Sequence, residues 1–319
     1  MKNIAVLTSG GDSPGMNAAV RAVVRTALYN DIDVYGVKYG YRGLVENQIE
    51  KLDVGSVADT IQRGGTFIHT ARCPEMMSEE GLQKAVETLK LWEIDGLICI
   101  GGDGTFKGAL ELSKRGINVV GVPATIDNDV ASSDYSIGFD TAINTVIDAI
   151  SKIRDTSLSH SRINVVEVMG RHSGNIALHS GFAGGADAIT VPEIAHNIDD
   201  IAEKILKSKC RGKLHSIIVF AEGCGDVQAF CTELEEKTKF RVRMTNLGYI
   251  QRGGSPTAFD RILAANMGSC AVYCLLGGKF NRVIGHKNNQ YIDFDIAEAV
   301  NMEYKLNMNM YKLAMELSI

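Results

Sequence analysis

The sequence predicts an α/β protein in which mostly parallel sheets are wrapped by helices. Two observations carry that expectation. Short, apolar, β-branched runs alternate with segments of helical period along all 319 residues, the pattern of strands that cross over through helices. Two of those runs break directly into glycine–aspartate loops, and each loop is followed by a helix-like segment.

The elements follow in order. Residues 4–7 form the first strand-like run and lead into Gly10, Gly11 and Asp12, with a helix-like segment over 18–28. Strand-like 33–37 and helical 79–91 come next. Residues 96–100 run into Gly101, Gly102, Asp103, Gly104 and Thr105, with helix-like 106–114 behind them. Strand-like 118–122 leads to Pro123, Ala124, Thr125, Ile126, Asp127, Asn128 and Asp129. Helical 139–157 precedes strand-like 164–168, which ends at Met169, Gly170 and Arg171. Strand-like 188–191 and 216–221 flank helical 198–207. A helix start at Pro256 opens helical 258–276, and strand-like 283–286 closes the series. Most of these runs are continuously apolar, as strands covered on both faces should be. Ligands in such sheets bind at the carboxyl ends of strands, so the four strand ends carrying polar residues are expected to form one rim.

Bulk properties narrow the class. Length alone suggests about two domains. With five prolines and no polar spacer, the boundary between them is invisible in composition. The chain is 45% hydrophobic and 22% charged, with 33 glycines, an ordinary globular mixture. Its net charge of −5 argues against a general nucleic-acid surface, which needs clustered positive charge. Any anionic ligand must therefore be held by local arginines. The chain enters a strand almost at once, which predicts no signal peptide, and no apolar run reaches the roughly 18 residues of a membrane span. Cys73, Cys99, Cys210, Cys224, Cys231, Cys270 and Cys274 form no CxxC pair, so neither a disulfide scaffold nor a zinc site is expected. Cys270 and Cys274 share a helix face and fit core packing. A reducing cytoplasm is the expected home.

The glycine loops point to nucleotide chemistry. Glycine lets backbone approach a phosphate closely, and a helix start favours anions. A carboxylate in such a loop repels phosphate unless it holds a cation, and Mg²⁺ suits that role. Taken alone, the GGDGT loop also fits a structural turn, and the TIDND segment fits a turn rich in Asn and Asp. If TIDND is extended, Asp127 and Asp129 fall on one side, where paired acids can serve as a general base and a metal-water ligand. Residues 249–261 place Arg252 beside flexible glycines, which equally fits a capped helix start. Arg162, Arg171 and Arg243 are ambiguous singly. No GxxxxGK[ST] loop is present, and GGDSPGMN lacks the GxGxxG spacing of dinucleotide binders.

Several motifs then agree in order and spacing: GGDSPGMN, Thr70-Ala71-Arg72-Cys73-Pro74, GGDGT, PATIDND, MGRHSG and QRGGSPTAFDR. From end to end the chain resembles the bacterial ATP-dependent 6-phosphofructokinases. The resemblance implies two similar three-layer, Rossmann-like domains: residues 1–138 plus 251–301 for ATP, and 139–250 plus 302–319 for much of the fructose 6-phosphate site. It implies a cytoplasmic, allosteric enzyme of glycolysis and a homotetramer. It also implies a kinase in which Gly11, Arg72, Cys73, Gly102, Asp103, Gly104 and Thr105 line the ATP site, with Asp103 reaching Mg²⁺. Asp127 would take the proton from the sugar 1-hydroxyl, helped by Thr125 and Asp129, with Arg171 supplying positive charge. Met169, Gly170, Arg171, Glu222, Tyr249 and Arg252 would grip fructose 6-phosphate. Arg162 and Arg243 would reach the 6-phosphate from a neighbouring subunit. Arg21, Arg25, Arg154, Gly185, Asp187, Arg211, Lys213 and His215 would form an effector pocket for ADP or phosphoenolpyruvate, although Arg21 and Arg25 alone also fit a solvated helix face.

The chain departs from that pattern in places. Pyrophosphate-using relatives carry aspartate where this chain has Gly104 and lysine where it has Ala124, so ATP is the expected donor; ATP users have glycine at the latter position. The family has histidine where this chain has Tyr249, which keeps a hydrogen-bonding tip without imidazolium charge. Val54, Asp187 and Leu214 replace arginine, glutamate and lysine of the effector pocket, which predicts feeble regulation by phosphoenolpyruvate. GGDGT also occurs in lipid and NAD kinases, but these do not require the other motifs. A non-catalytic nucleotide sensor would have lost Asp103 or Asp127, and an NAD(P) oxidoreductase would carry its missing fingerprint.

Overall fold

A computed structural model describes residues 1–318. Its elements in order are β1 (Asn3–Thr8), α1 (Met16–Tyr29), β2 (Asp33–Val37), α2 (Tyr41–Val45), β3 (Ile49–Leu52), α3 (Glu79–Leu91), β4 (Gly96–Gly101), α4 (Asp103–Ser113), β5 (Val119–Pro123) and α5 (Phe139–His160). There follow β6 (Ile163–Val168), α6 (Asn175–Ala183), β7 (Ala188–Thr190), α7 (Ile198–Cys210), β8 (Ser216–Ala221), α8 (Val227–Thr238) and β9 (Val242–Asn246). The last elements are α9 (Ala258–Leu276), β10 (Arg282–Lys287), β11 (Gln290–Asp295), α10 (Ile296–Asn301) and α11 (Met308–Leu317). The chain divides into two compact units, Met1–Thr141 with Arg252–Tyr304, and Ala142–Gln251 with Lys305–Ile319.

The first unit holds a seven-stranded sheet ordered β11-β10-β5-β4-β1-β2-β3. Its inner pairs are parallel, and only the edge strands β3 and β11 run antiparallel. Alternate side chains feed two cores. Ile4, Val6, Ile98, Ile100, Val120 and Val122 pack with α1 and α9 on one face. Ala5, Leu7, Leu97, Cys99 and Val119 pack with α3 and α4 on the other. That two-sided burial explains the unbroken apolar runs, because a strand residue points up or down with period two.

The second unit holds a four-stranded, wholly parallel sheet ordered β7-β8-β6-β9. Phe220, Phe230, Leu234 and Ile205 centre one of its cores. Helix α3 matches the expected 79–91 and α9 the expected 258–276. The helix start expected at Pro256 falls instead at Ala258, with the Thr257 side chain accepting from Asp260 N. Strands β3, β9 and β11 and helices α2, α6, α8, α10 and α11 were not among the expected elements. The three strands carry mixed or exposed patterns, which erase the signal of a covered run. Among the described residues no helix is long and apolar enough to cross a membrane.

Candidate active site

In the first unit, β1 leads to β2 on one side while β4 lies on its other side. This reversal of strand order opens a crevice at the carboxyl ends of β1 and β4, and each of those ends carries a glycine loop. Backbone bonds set the floor: Ser9 N donates to Ile100 O at 2.9 Å, and Ala124 N to Gly101 O at 2.9 Å. Close approach makes Gly101 obligatory, since a Cβ there would lie 2.3 Å from Thr105 Oγ1 and 2.4 Å from Ser9 O. Gly10 adopts φ 86°, a left-handed conformation suited to glycine.

Thr105 ties the two loops together. Its buried hydroxyl donates to Ser9 O at 3.1 Å, and its carbonyl accepts from Tyr41 Oη at 2.5 Å. Thr70 donates to Gly10 O at 2.8 Å. Helices α1 and α4 start behind these loops without a side-chain cap, whereas α3, α7, α8 and α9 each receive one. At α4, whose Gly102, Gly104 and Thr105 line the cavity, uncapped first-turn N–H groups leave donors for an anion.

Two cavities meet at Ser9, Gly10 and Gly104. The smaller, about 240 Å³, is lined by Gly11, Asp12, Gly102, Thr105, Ala124, Thr125, Asp127 and Arg252 among others. The larger, about 780 Å³, runs past Tyr41, Arg72, Cys73, Met76, Met77, Lys107 and Gly108. The first is ringed by backbone and charge; the second is mainly apolar. A polar anionic group with an aromatic or apolar extension fits that sequence of surfaces. At Gly104, where the two cavities meet, a Cβ would find no atom within 4 Å.

The TIDND segment is a turn rather than an extended run. Asn128 sits at φ 48°, its side chain donating to Asp134 O at 2.9 Å and accepting from Ser136 N at 2.7 Å. Asp127 N donates to Thr125 Oγ1 at 3.3 Å. The turn is therefore braced from outside, with Thr125 and Asp127 facing the cavity. Asp103 stands at the start of α4. Its carboxyl is raised above the ordinary value by burial and by the charge of Asp129, with Lys107 acting in the opposite sense. Two carboxylates that raise each other's cost of ionisation gain by sharing a cation, and a hard divalent ion bound through one or two carboxylates suits the pair. Arg252 packs on Gly11, where a Cβ would meet Nη1 at 3.2 Å.

The four strand ends expected to share one rim do not share one sheet. Those of β1, β4 and β5 meet in the first unit. That of β6 belongs to the second, where Met169, Gly170 and Arg171 lie beside Glu222 at the end of β8, because Val168 registers with Ala221. Gly223 N donates to Gly170 O at 3.2 Å. Gly170 has φ 128°, and a Cβ there would sit 2.3 Å from Ser173 O. Met169 N donates to the buried Gln251 side chain at 3.1 Å, and Tyr249 in the same short 3-10 turn is 81% exposed.

Arg162 and Arg243 are not part of that rim. Arg162 directly precedes β6, and Arg243 registers with Asn164 near the amino end of the same strand. Seven residues separate Arg162 from Met169, about 20 Å along a strand. Arg154 donates to the carbonyls of Gly184 and Gly185 and approaches His215 Nε2 at 3.3 Å. Asp187 is buried, pairs with Lys213 and accepts from Ile217 N at 2.9 Å. Arg211 instead turns back on its own helix, donating to Lys207 O at 3.5 Å. In the first unit, Arg21 and Arg25 lie on one face of α1; partial burial, then Arg25, lowers the Arg21 pKa. Sequence reasoning did not single out Tyr41, Gln251 or Asp260. Gln251 and Asp260 lie inside a quoted motif, which was the available signal; Tyr41, in the five-residue α2, offered none.

A family model described as Phosphofructokinase matches residues 3–275. The chain is 58% identical to the ATP-dependent 6-phosphofructokinase of Alkaliphilus metalliredigens over 319 residues, covering 100% of both chains. It is 54% identical to the enzyme of that name from Bacillus subtilis, again covering 100% of both. Among solved structures it is similar to phosphofructokinase from Saccharomyces cerevisiae, with TM-score 0.88 and 34% identity, covering 100% of this chain and 48% of the yeast chain. It thus spans about half the length of that relative. A pyrophosphate-dependent phosphofructokinase from Marinobacter aquaeolei shares the fold, with TM-score 0.87 and 23% identity over 97% of this chain and 86% of that one.

Proposed function

The chain belongs to the phosphofructokinase family, and from that premise we propose that it is an ATP-dependent 6-phosphofructokinase of glycolysis. It transfers the γ-phosphoryl group of ATP to the 1-hydroxyl of D-fructose 6-phosphate, giving fructose 1,6-bisphosphate and ADP. One observation carries the reading: the glycine loops after β1 and β4, the uncapped start of α4 and a cavity-facing Asp127 line one crevice at a strand-order reversal, and Asp103, between the lining Gly102 and Gly104, feels the charge of Asp129.

The family resemblance supplies the residue roles in this reading. The phosphates lie against Gly11, Gly102, Asp103, Gly104 and Thr105, and the nucleoside extends past Arg72 and Cys73. Asp127 accepts the proton of the 1-hydroxyl, oriented by Thr125 and supported by Asp129. Phosphoryl transfer has a loose transition state, so positioning and charge neutralisation outweigh base strength. In this reading Arg72 and Arg171 would supply positive charge to the transferring group. Mg²⁺ would be held by Asp103 with Asp129 close by, and when bound it neutralises phosphate charge. Met169, Gly170, Arg171, Glu222, Tyr249 and Arg252 bind the sugar phosphate.

The larger unit is the ATP-holding domain and the smaller carries much of the sugar-phosphate site. Arg162 and Arg243 serve the 6-phosphate of a neighbouring subunit in a homotetramer. Their position near the amino end of β6, away from Arg171, supports that assignment. Arg21, Arg25, Arg154, Gly185, Asp187, Arg211, Lys213 and His215 form an effector pocket weakened by Val54 and Leu214, and the enzyme works in the cytoplasm.

The deciding measurement is a coupled assay with ATP, Mg²⁺ and fructose 6-phosphate, repeated with pyrophosphate replacing ATP and with NAD or diacylglycerol replacing the sugar phosphate. Turnover is expected only with the first combination. Turnover with pyrophosphate alone as donor, or with another acceptor alone, would overturn the reading.

A further inference from the structure

Residues 136–138 join the Asp127 turn to helix α5, and hydrogen bonds hold them on four sides. Ser136 N donates to the Asn128 side chain at 2.7 Å. Ile137 N donates to Pro123 O at 3.1 Å, and Ile137 O accepts from Ser13 Oγ at 3.0 Å. Gly138 N donates to Asp260 Oδ1 at 2.9 Å. The segment is thus a wedge between the first glycine loop and the turn that carries Asp127. Its surroundings admit no slack. A Cβ at Gly138 would lie 2.6 Å from Ser13 Cβ, and one at Gly15 would lie 2.6 Å from Ile137 Cγ2.

Asp260 anchors the wedge from outside the cavity. It is wholly buried in α9 and is not among the cavity-lining residues. Its second oxygen accepts from Thr141 N at 2.8 Å and Thr141 Oγ1 at 2.6 Å. Thr257 closes the ring: its N–H donates to Thr141 Oγ1 at 3.0 Å, its hydroxyl to Asp140 Oδ2 at 2.6 Å, and it accepts from Asp260 N at 3.2 Å. One carboxylate therefore caps the start of α5, where the helix dipole favours an anion, and fixes the end of the wedge. Burial pushes the Asp260 carboxyl up to about 6, with Asp140 adding in the same direction, while the Thr141 and Gly138 donors pull it down. At neutral pH it remains ionised, with both oxygens accepting.

We propose that Asp260 is a positioning residue for phosphoryl transfer, holding the 136–138 wedge so that the Asp127 turn and the first glycine loop keep their relative placement. An amide at this position must turn its NH₂ toward an N–H or O–H that needs an acceptor, so Asp260→Asn keeps the volume and breaks the bracket. The kinetic arm of the test rests on the phosphofructokinase reading; the exchange arm does not.

The experiment compares wild type, Asp260→Asn, Thr141→Val and Thr141→Ser by hydrogen–deuterium exchange, steady-state kinetics and thermal unfolding. Asp260→Asn is expected to speed exchange in residues 9–15 and 125–138 relative to the rest of the chain. Its kcat is expected to fall on the order of 10²-fold, the scale of a small misplacement of reacting groups, with the ATP KM within about threefold because the α4 phosphate loop stays tied through Thr105. Thr141→Val should show a smaller change of the same pattern, and Thr141→Ser should restore wild-type behaviour. A folded Asp260→Asn whose exchange in those two segments is unchanged, or whose kcat stays within twofold of wild type, overturns the proposal. A general loss of protection across the chain with normal kcat assigns Asp260 to stability alone and also overturns it. A wild type without kinase activity toward fructose 6-phosphate would instead sink the functional reading and leave the exchange result to decide the wedge.

Discussion

At the scale of single residues, the proposed chemistry rests on Asp127 and on the open space at Gly104. Asp127 faces the cavity from a turn braced by Asn128. Asp127→Ser is expected to lower kcat by about 10²–10⁴-fold, the range for loss of a general base, with little change in either KM; steady-state kinetics in both substrates check this, and a near-normal kcat rejects the base. Gly104 contributes by absence. Open space surrounds its missing Cβ at the junction of the two cavities, so Gly104→Asp fits sterically but places a carboxylate where the proposed ATP phosphates would lie. The ATP KM is expected to rise by about tenfold or more, on the order of one lost charge-assisted contact. An unchanged ATP KM would show that nucleotide lies elsewhere.

At the scale of elements, the antiparallel hairpin β10–β11 shows how an edge is held. Arg282 donates to Asp293 at 2.7 Å across the pair, and Lys279 reaches the same carboxylate at 3.1 Å. Burial pushes the Asp293 carboxyl up, but those two bonds more than offset it and leave it below its ordinary value. A depressed carboxyl stabilises the fold above its unfolded pKa of about 4 and loses that contribution as pH falls through its folded value. Asp293→Asn should therefore lower Tm at pH 7 by about 1–4 °C, with the gap to wild type closing as pH drops below about 4. Parallel thermal melts at several pH values check it, and a gap that widens toward acid contradicts the assignment.

At the scale of the whole molecule, the question is which residues of one chain can act on one substrate. Arg162 and Arg243 lie near the amino end of β6, and Met169, Gly170, Arg171 and Glu222 at the carboxyl ends of β6 and β8. A shared site predicts complementation. Asp127→Ser and Arg162→Ala proteins, each feeble alone, should regain activity when unfolded together and refolded, because a hybrid assembly contains some sites with neither defect. An activity no greater than the sum of the separate proteins would show that each chain serves its own site. The proposed effector pocket gives a second expectation at this scale: because Leu214, 56% exposed, and Val54, 55% exposed, stand where the family pattern has cations, phosphoenolpyruvate should leave fructose 6-phosphate saturation nearly hyperbolic.

Much of this was legible in the chain itself. Continuous apolar runs identified the covered central strands, and the glycine–aspartate loops marked two strand ends that meet at the crevice. Both depend on local rules, period-two burial and glycine's freedom near phosphate, which a linear sequence displays directly. The antiparallel edge strands β3 and β11 were hidden because one-sided or half-exposed strands leave no unbroken apolar run. The Asp127 turn was legible as a motif but not as a shape, since the left-handed Asn128 is held by residues six and eight positions further on. Tyr41 and Asp260 act through partners 64 and about 120 residues away. Sequence alone thus determined the fold class and the chemistry available; tertiary structure decided the convergence, because hydrogen bonds between distant segments depend on where folding brings their atoms.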